Sequence, residues 1–580
     1  MSKLKVAAGA KFAAVIAIAT LALSTFSASA SADGDPVNPI PAANRQVVWT
    51  TPEYDQQAIA ASNRVNYGLA FTGGLETRMQ GSNIRAFSAD GGQSRMCDTS
   101  LSCLNGSYSN LQVIGAIDLC ASTHQAPCVD SLEYKIGTED FKPAQYAFTV
   151  DPSPTAADVQ QAKANGATYV QQQSGWSSTA MPGVPGSASG PLVFHLPGAL
   201  NAGGTDTYAI ESAFIFSSGK ATANGAISQF HTSVVPVVDD PTNHCEATWY
   251  DYKLGSLDMT NGVGCADDQK AYFSSKSIGW AAGFPSGMAL RLKLRLPQKV
   301  GGWLQGRAES PSVQIAPQTD GSNLLTIEAA PTSIPTTATS IALYDPANAD
   351  LVNSMGLNNP FWEQWRSQDG KSPGVLYPTG DGWTPARGGS SLIGKVASAV
   401  GNKSKGYISA WEFKQLNSNG PCMNDRSSLQ GLLTTNAMTY QPDLPAMNDG
   451  FLSYSVAGLH YDSNGNVFQG TYNFIMRDSV ARCLYGFKSN APISGTVNVT
   501  SSDGQEYVAN TTVADDGTWL KLTAQGFTFS NPVIRAKLQQ QAPAPAPSAT
   551  PGKTITCVKG KVRRTVTGAS PKCPAGFKKA

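Results

Sequence analysis

Met288 to Leu296 alternate strictly, with Leu290, Leu292, Leu294 and Leu296 on one side of an extended chain and Arg291, Lys293 and Arg295 on the other. Successive side chains of a strand point to opposite faces, so this pattern specifies a strand with one dry and one wet face; a helix would need apolar positions every three to four residues. Period-two alternation recurs along the chain, and helical periodicity is sparse. Gly495–Thr500 and Gln505–Val513 flank Asp503-Gly504, and Val513 and Trp519 flank Asp516-Gly517. Leu459–Tyr461 and Val467–Phe474 flank Ser463-Asn464-Gly465-Asn466. In each case a glycine supplies the positive φ of a tight hairpin. The 56 Gly and 36 Pro, with charged residues at only 14% against about 25% in average soluble proteins, favour turns over long amphipathic helices. The expected fold class is mainly β: multi-domain antiparallel β-sandwich-like or meander domains with a few short helices, plus a small C-terminal hairpin module. The helices are expected from Pro154 to Gly166, Asn359 to Trp365 and Ser391 to Val400.

The two ends of the chain say where it goes. Lys3, Lys5 and Lys11 precede the apolar run Phe12–Leu23, followed by Ala28-Ser29-Ala30 and Ala30-Ser31-Ala32, the layout of a cleavable signal peptide over 1–32. An apolar core of about a dozen residues falls short of the roughly 20 a spanning helix needs, so no transmembrane segment is expected after cleavage. The C-terminal residues Lys553–Ala580 carry eight Lys or Arg, two cysteines and no acid. Before them, 539–552 contains Ala542-Pro543-Ala544-Pro545-Ala546-Pro547, a Pro/Ala-rich linker in which proline restricts φ and favours an extended spacer. Between the ends, 33–330 reads as a β-rich region of one or two domains, the alternative division falling near 236–245. Residues 331–340 read as a linker, interrupted by Pro331 and Pro335, and 341–538 as a second β-rich domain with short helices. The chain has 42 cations, 41 acids and a net charge of +1. Three of the cations lie in the leader and eight in the tail, so the body keeps 31 against 41 acids, a net of −10.

Ten cysteines allow on the order of a thousand pairings, and sequence alone does not choose among them. Their grouping favours neighbours: Cys97 with Cys103, Cys120 with Cys128, Cys245 with Cys265, Cys422 with Cys483, and Cys557 with Cys573. An oxidising compartment supports structural disulfides. No C-x-x-C occurs, and no cysteine pair has a second pair at ligand spacing, so zinc is disfavoured. No cofactor or metal is expected.

The tail sequence Thr554-Ile555-Thr556-Cys557-Val558-Lys559-Gly560-Lys561, then Val566-Thr567-Gly568 and Pro571-Lys572-Cys573-Pro574, reads as a hairpin with a closing disulfide. It resembles a segment at the C-termini of uncharacterised exported proteins of actinobacteria. The resemblance covers about thirty residues, with a looser likeness in Asp478–Tyr485 and the strands that follow, and it implies no activity. Lys559, Lys561, Arg563 and Arg564 are the candidate binding residues there, for an anionic cell-wall polymer or surface glycan; a basic solubilising appendage is the competing reading.

Other candidates come from aromatic and charged groups. Tyr407, Trp411 and Phe413 share a strand face, and Trp362 with Trp365 one side of a short helix; exposed, Tyr407 and Trp411 would stack on sugar rings, whereas buried they are core. Arg291, Lys293 and Arg295, extended by Lys299 and Arg307, form a stripe for a polyanion or a solvated strand face. Nucleic acid is not an expected partner, since the body is net acidic and carries no nucleic-acid-binding signature. Catalytic motifs are missing. The five histidines include no H-E-x-x-H, Gly186–Gly190 has Ala where a nucleophile elbow needs Ser, and Asp462–Asn466 departs from a calcium loop. Glu363 and Glu412, each beside tryptophan, are the candidate acids for glycoside hydrolysis, whose paired carboxylates meet in space rather than in sequence. The expected function is a secreted, extracellular or cell-wall-associated structural or binding protein with no recognisable catalytic motif. The alternative is a secreted polysaccharide hydrolase or carbohydrate-binding protein.

Overall fold

A computed structural model describes 66–71, 82–120, 126–150, 175–218, 225–238, 251–254, 257–260, 270–272, 278–281, 283–342, 375–376, 401–487, 493–500, 506–529, 533–540 and 552–580, with short gaps inside several of the longer blocks. Among the described residues the fold is mainly β, in several largely antiparallel sheets, with one short helix, Asp478–Tyr485. The helices expected around Pro154, Asn359 and Ser391 lie outside the described residues, as do the leader 1–32 and most of the spacer 539–552. No described helix is long and apolar enough to cross a membrane.

A single long sheet organises the body. Its central path runs Ser94–Met96, Asn83–Ser88, Tyr108–Ala116, Thr207–Ser218, Ala226–Val238, Glu412–Leu416, Gly302–Arg307, Leu429–Thr435, Gln469–Arg477, Trp519–Thr528 and Asn510–Asp515. Along this path only Gly302–Arg307 and Leu429–Thr435 pair in parallel. A first covering sheet holds Met288–Leu296 between Cys128–Ile136 and Asn323–Ala330. The alternating strand behaves as its sequence requires: its leucines and Met288 are buried, and its cations are partly exposed. A second covering sheet, built on Phe451–Ala457, Val533–Gln540 and Ile493–Thr500, closes the other core.

The two cores meet across the strand Gly302–Arg307. Trp303 enters the second core and Leu304 the first, and Leu432 and Leu433 divide in the same way. So do Ile475, in the first core, and its neighbours Phe474 and Met476, in the second. A strand buried on both faces need not alternate, and Gly302–Arg307 and Leu429–Thr435, buried throughout, do not. Gly431 is held tightly between its two strand neighbours: a Cβ there would stand 2.2 Å from a ring carbon of Trp303 and 2.3 Å from the Ile475 carbonyl oxygen. Because that oxygen belongs to a paired strand and cannot yield cheaply, Gly431→Ala is expected to destabilise by about 1–3 kcal/mol, read as a lowered denaturation midpoint.

Residues 331–340, expected as a linker, are instead part of a strand. Thr332–Ala342 pairs with Gly406–Ala410 through Thr336 and with Asn66–Phe71 from Thr337 onward. Among the described residues Pro335 therefore has a strand neighbour on one side only, where a missing N–H need break no ladder. Gly302–Arg307, which precedes this segment, lies between two strands that follow it. The long sheet consequently joins the regions that sequence assigned to separate domains.

Of the expected disulfides, Cys120–Cys128, Cys422–Cys483 and Cys557–Cys573 are formed, with Cα separations of 4.9, 5.6 and 5.6 Å. Cys97 is also disulfide-bonded; Cys103, Cys245 and Cys265 lie outside the described residues. The Asp516-Gly517 turn connects paired strands, with Gly517 at φ 82°. In the Asp462 turn the carboxylate accepts the backbone N–H groups of Asn464 and Asn466, the arrangement of an Asx-stabilised hairpin rather than of a calcium loop.

Candidate functional site

The tail forms a three-stranded sheet. Lys553–Lys559 pairs with Val562–Gly568 through a two-residue turn, and Lys578–Lys579 returns to pair with Cys557 and Val558. Gly560, at φ 61°, occupies the first central position of that turn, where a type II′ hairpin requires positive φ. The expected hairpin is thus present with a third strand added. Cys573 lies beyond the hairpin, so its bond to Cys557, which is fully buried, pins the returning segment rather than the two hairpin strands. Ile555, Cys557 and Val566 share one face with Phe577, over which the Arg564 guanidinium lies 5.5 Å from the ring centroid. The opposite face carries Thr554, Thr556, Thr565 and Thr567, with the hydroxyls of Thr554 and Thr567 3.0 Å apart.

All eight cations of the tail are exposed. Register concentrates six of them at the turn end. Arg563 and Lys578 flank Val558 on one face, Arg564 and Lys579 flank Cys557 on the other, and Lys559 and Lys561 lie at the turn itself. With strands about 4.8 Å apart and residues about 3.3 Å apart along each, the cluster spans roughly three strands by two to three residues. The module contains no acid, so its charges repel one another unless an outside anion binds them.

The remaining sequence candidates fall elsewhere. Trp411 is fully buried, donates its indole N–H to the Ala329 carbonyl at 3.0 Å, and meets Phe413 edge-on at 4.9 Å. It sits at a corner where the chain passes from Gly406–Ala410 into Glu412–Leu416, and its ring fills the first core instead of stacking a sugar. The backbone of Tyr407 pairs with Pro335, but its side chain lies outside the described residues, as do Trp362, Glu363 and Trp365.

Glu412 is 2% exposed, and its carboxylate stands 3.3 Å from Nε of the fully buried Arg307. Arg307 also donates to the carbonyls of Ala437 and Met438 and lies over the Tyr440 ring at 4.8 Å. Glu412 is therefore half of an internal ion pair and is not exposed to an open groove. Register extends this rank across four strands, from Glu211 through Ser233 and Glu412 to Arg307, all buried. His231, Lys414 and Gln305 form the adjoining rank. Burial, with the Lys414 charge beside it, pushes the His231 imidazole down to about 4, so it is neutral at neutral pH. Sequence reasoning missed Glu211 and set Arg307 in an exterior stripe. The available signal was a lone charge inside an otherwise uncharged strand.

The stripe on Met288–Leu296 is neutralised within its own sheet. Arg291 pairs with Glu133 at 2.8 Å and Glu328 at 3.0 Å, Lys293 with Glu133 at 2.5 Å, and Arg295 with Asp130 at 2.8 Å. Partial burial alone would raise the Glu133 carboxyl, but hydrogen bonds and charge from Lys293 and Arg291 outweigh it and hold Glu133 below its ordinary range. These are cross-strand pairs that support the sheet, and they leave little net charge for a polyanion. No family model matches the chain, and no match is found among curated proteins or solved structures.

Proposed function

We propose that this is an exported, envelope-associated binding protein, held at an anionic surface by its C-terminal module and without a catalytic role. The observation that carries the reading is the six-cation cluster at the turn end of a small disulfide-pinned sheet that contains no acid. A proline-rich spacer before the module lets it reach a surface while the body, at net −10, is turned away from the same negative charge. The alternative of a glycoside hydrolase has lost Glu412 to an internal pair, and its other named acid, Glu363, lies outside the described residues.

Deleting 553–580 is expected to release the protein from the envelope fraction into the medium. Wild-type retention should fall steeply with added salt, because attraction between exposed charges is screened beyond about 8 Å at physiological ionic strength. Neutralising Lys559, Lys561, Arg563 and Arg564 should release more protein than reducing Cys557–Cys573 does, since the charges supply the attraction and the disulfide only presents them. Fractionation by immunoblot across a salt series measures both. Retention indifferent to salt and to the four substitutions would sink electrostatic tethering.

A further inference from the structure

We infer that the outward face of the second covering sheet holds a separate binding site for an anionic, hydroxyl-rich unit, centred on Arg535. A cleft of about 360 Å³ opens there between Ala446–Asn448, Phe451–Ala457 and Val533–Gln540, at the small end of the roughly 300–1,000 Å³ typical of ligand clefts. Five of its seven lining residues are polar: Gln441, Asn448, Ser453, Ser455 and Arg535; Ala446 and Val533 complete the wall. Among the described residues no carboxylate lines it, and the one charge there is the guanidinium. A cleft lined by one cation, two amides and two hydroxyls, with aliphatic stems between them, suits a ligand that is both anionic and rich in hydroxyls.

Secondary structure fixes how these groups converge. Ser453 and Ser455 are two residues apart on one strand and share a face; Arg535 is directly opposite Ser453, and Val533 opposite Ser455. Ala446 faces Ser453 from the other side. The turn that joins those last two strands places Asp449 at φ 51° and Gly450 at φ 77°, the two positive values of a type I′ hairpin, which fixes the register. Arg535 is partly buried with its guanidinium 4.3 Å from the Phe451 ring centroid, and the Lys537 ammonium is 5.4 Å from the same ring. Contact with the ring steadies the guanidinium, and a guanidinium can present paired N–H groups to a bidentate anion. Ser453, Ser455, Asn448 and Gln441 then supply donors and acceptors for ring hydroxyls. The anion is a carboxylate in a uronic acid unit or a phosphate in a polyol phosphate unit, and both present the same chemistry to Arg535.

The test uses the full chain carrying neutral residues at Lys559, Lys561, Arg563 and Arg564, so that the tail contributes no binding. Calorimetric titration compares a uronic acid disaccharide, a short glycerol phosphate oligomer and a neutral trisaccharide. Saturable binding of one or both anionic ligands, with the neutral sugar at least tenfold weaker, is expected; which anion binds tighter identifies the source. Arg535→Gln should weaken that binding by about tenfold or more, the usual scale for losing a charged hydrogen bond. Ser453→Ala with Ser455→Ala should weaken whichever anionic ligand binds while leaving the thermal midpoint unchanged. Absence of binding by both anionic ligands, equal binding of the neutral sugar, or binding unchanged by Arg535→Gln would overturn the site. Because retention at the envelope is read on the tail and ligand binding on Arg535, either can fail without the other.

Discussion

Arg307→Ala is expected to lower stability by about 3–5 kcal/mol, the scale of breaking one side of a buried ion pair. The side chain is fully buried, and three kinds of partner depend on it: the Glu412 carboxylate at 3.3 Å, the carbonyls of Ala437 and Met438, and the Tyr440 ring at 4.8 Å. Truncation removes the countercharge from Glu412 inside a region of low dielectric, removes donors from two backbone oxygens, and opens a cavity between the long sheet and the segment 437–440. The charge effect can be separated from the volume effect. Arg307→Met keeps much of the volume and should still be severe alone, whereas adding Glu412→Gln removes the buried negative charge and should recover a large part of the loss, because the cost of an uncompensated buried charge goes with the charge. Guanidinium denaturation of the four proteins in a double-mutant cycle gives the coupling directly. A loss below about 1 kcal/mol for Arg307→Ala would mean that this pair behaves like a surface bridge, and the reading of the buried rank would have to be abandoned.

That pair also shows where sequence stopped being informative. Met288–Leu296 was legible because one of its faces is wet, and the alternation of leucine with Arg and Lys survives into the structure. Gly302–Arg307 and Leu429–Thr435 were not, because both faces are buried and alternation vanishes. The same ambiguity hid the joining of the two halves: nothing local to Trp303 says that it will lie between strands more than a hundred residues later. Proline in 331–340 suggested a break, and the sheet absorbs it at a position with one strand neighbour among the described residues. The helix Asp478–Tyr485 was missed although its signals are present, with Asp478 in the first turn paired to Arg482 and Gly486 closing it at φ 64°. Its brevity left no periodicity to read. Of the candidate sites, the tail hairpin and its charge cluster were the most legible because both are local in sequence. Arg535 was invisible by contrast, since its cleft is made by three strands that meet only through register.

Replacing Cys422 and Cys483 together with alanine is expected to cost about 4 kcal/mol, the chain-entropy value for a loop of this size. The sequence separation is 61 residues, the longest among the three described bridges, so it removes the most freedom from the unfolded chain. Its native position adds a second consequence. Cys483 lies in the helix whose Val480 and Ala481 enter the second core, and the residue after Cys422, Met423, offers the carbonyl that accepts the Trp303 indole N–H at 3.1 Å. The bridge therefore ties that helix to the segment that seats Trp303, and its loss should loosen the second core before the first. Hydrogen exchange should show early loss of protection in Leu429–Thr435 and Gln469–Arg477 while Met288–Leu296 stays protected. Cys422 has a left-handed backbone, φ 70°, which disfavours alanine by roughly 1–2 kcal/mol relative to glycine. Cys422→Gly with Cys483→Ala should accordingly be more stable than the double alanine variant by up to that amount, partly offset by the greater freedom of glycine in the unfolded chain. Non-reducing denaturation of the three proteins tests both statements. A double alanine variant within about 1 kcal/mol of wild type, with uniform exchange in both cores, would show that packing around Trp303 holds the second core without the bridge.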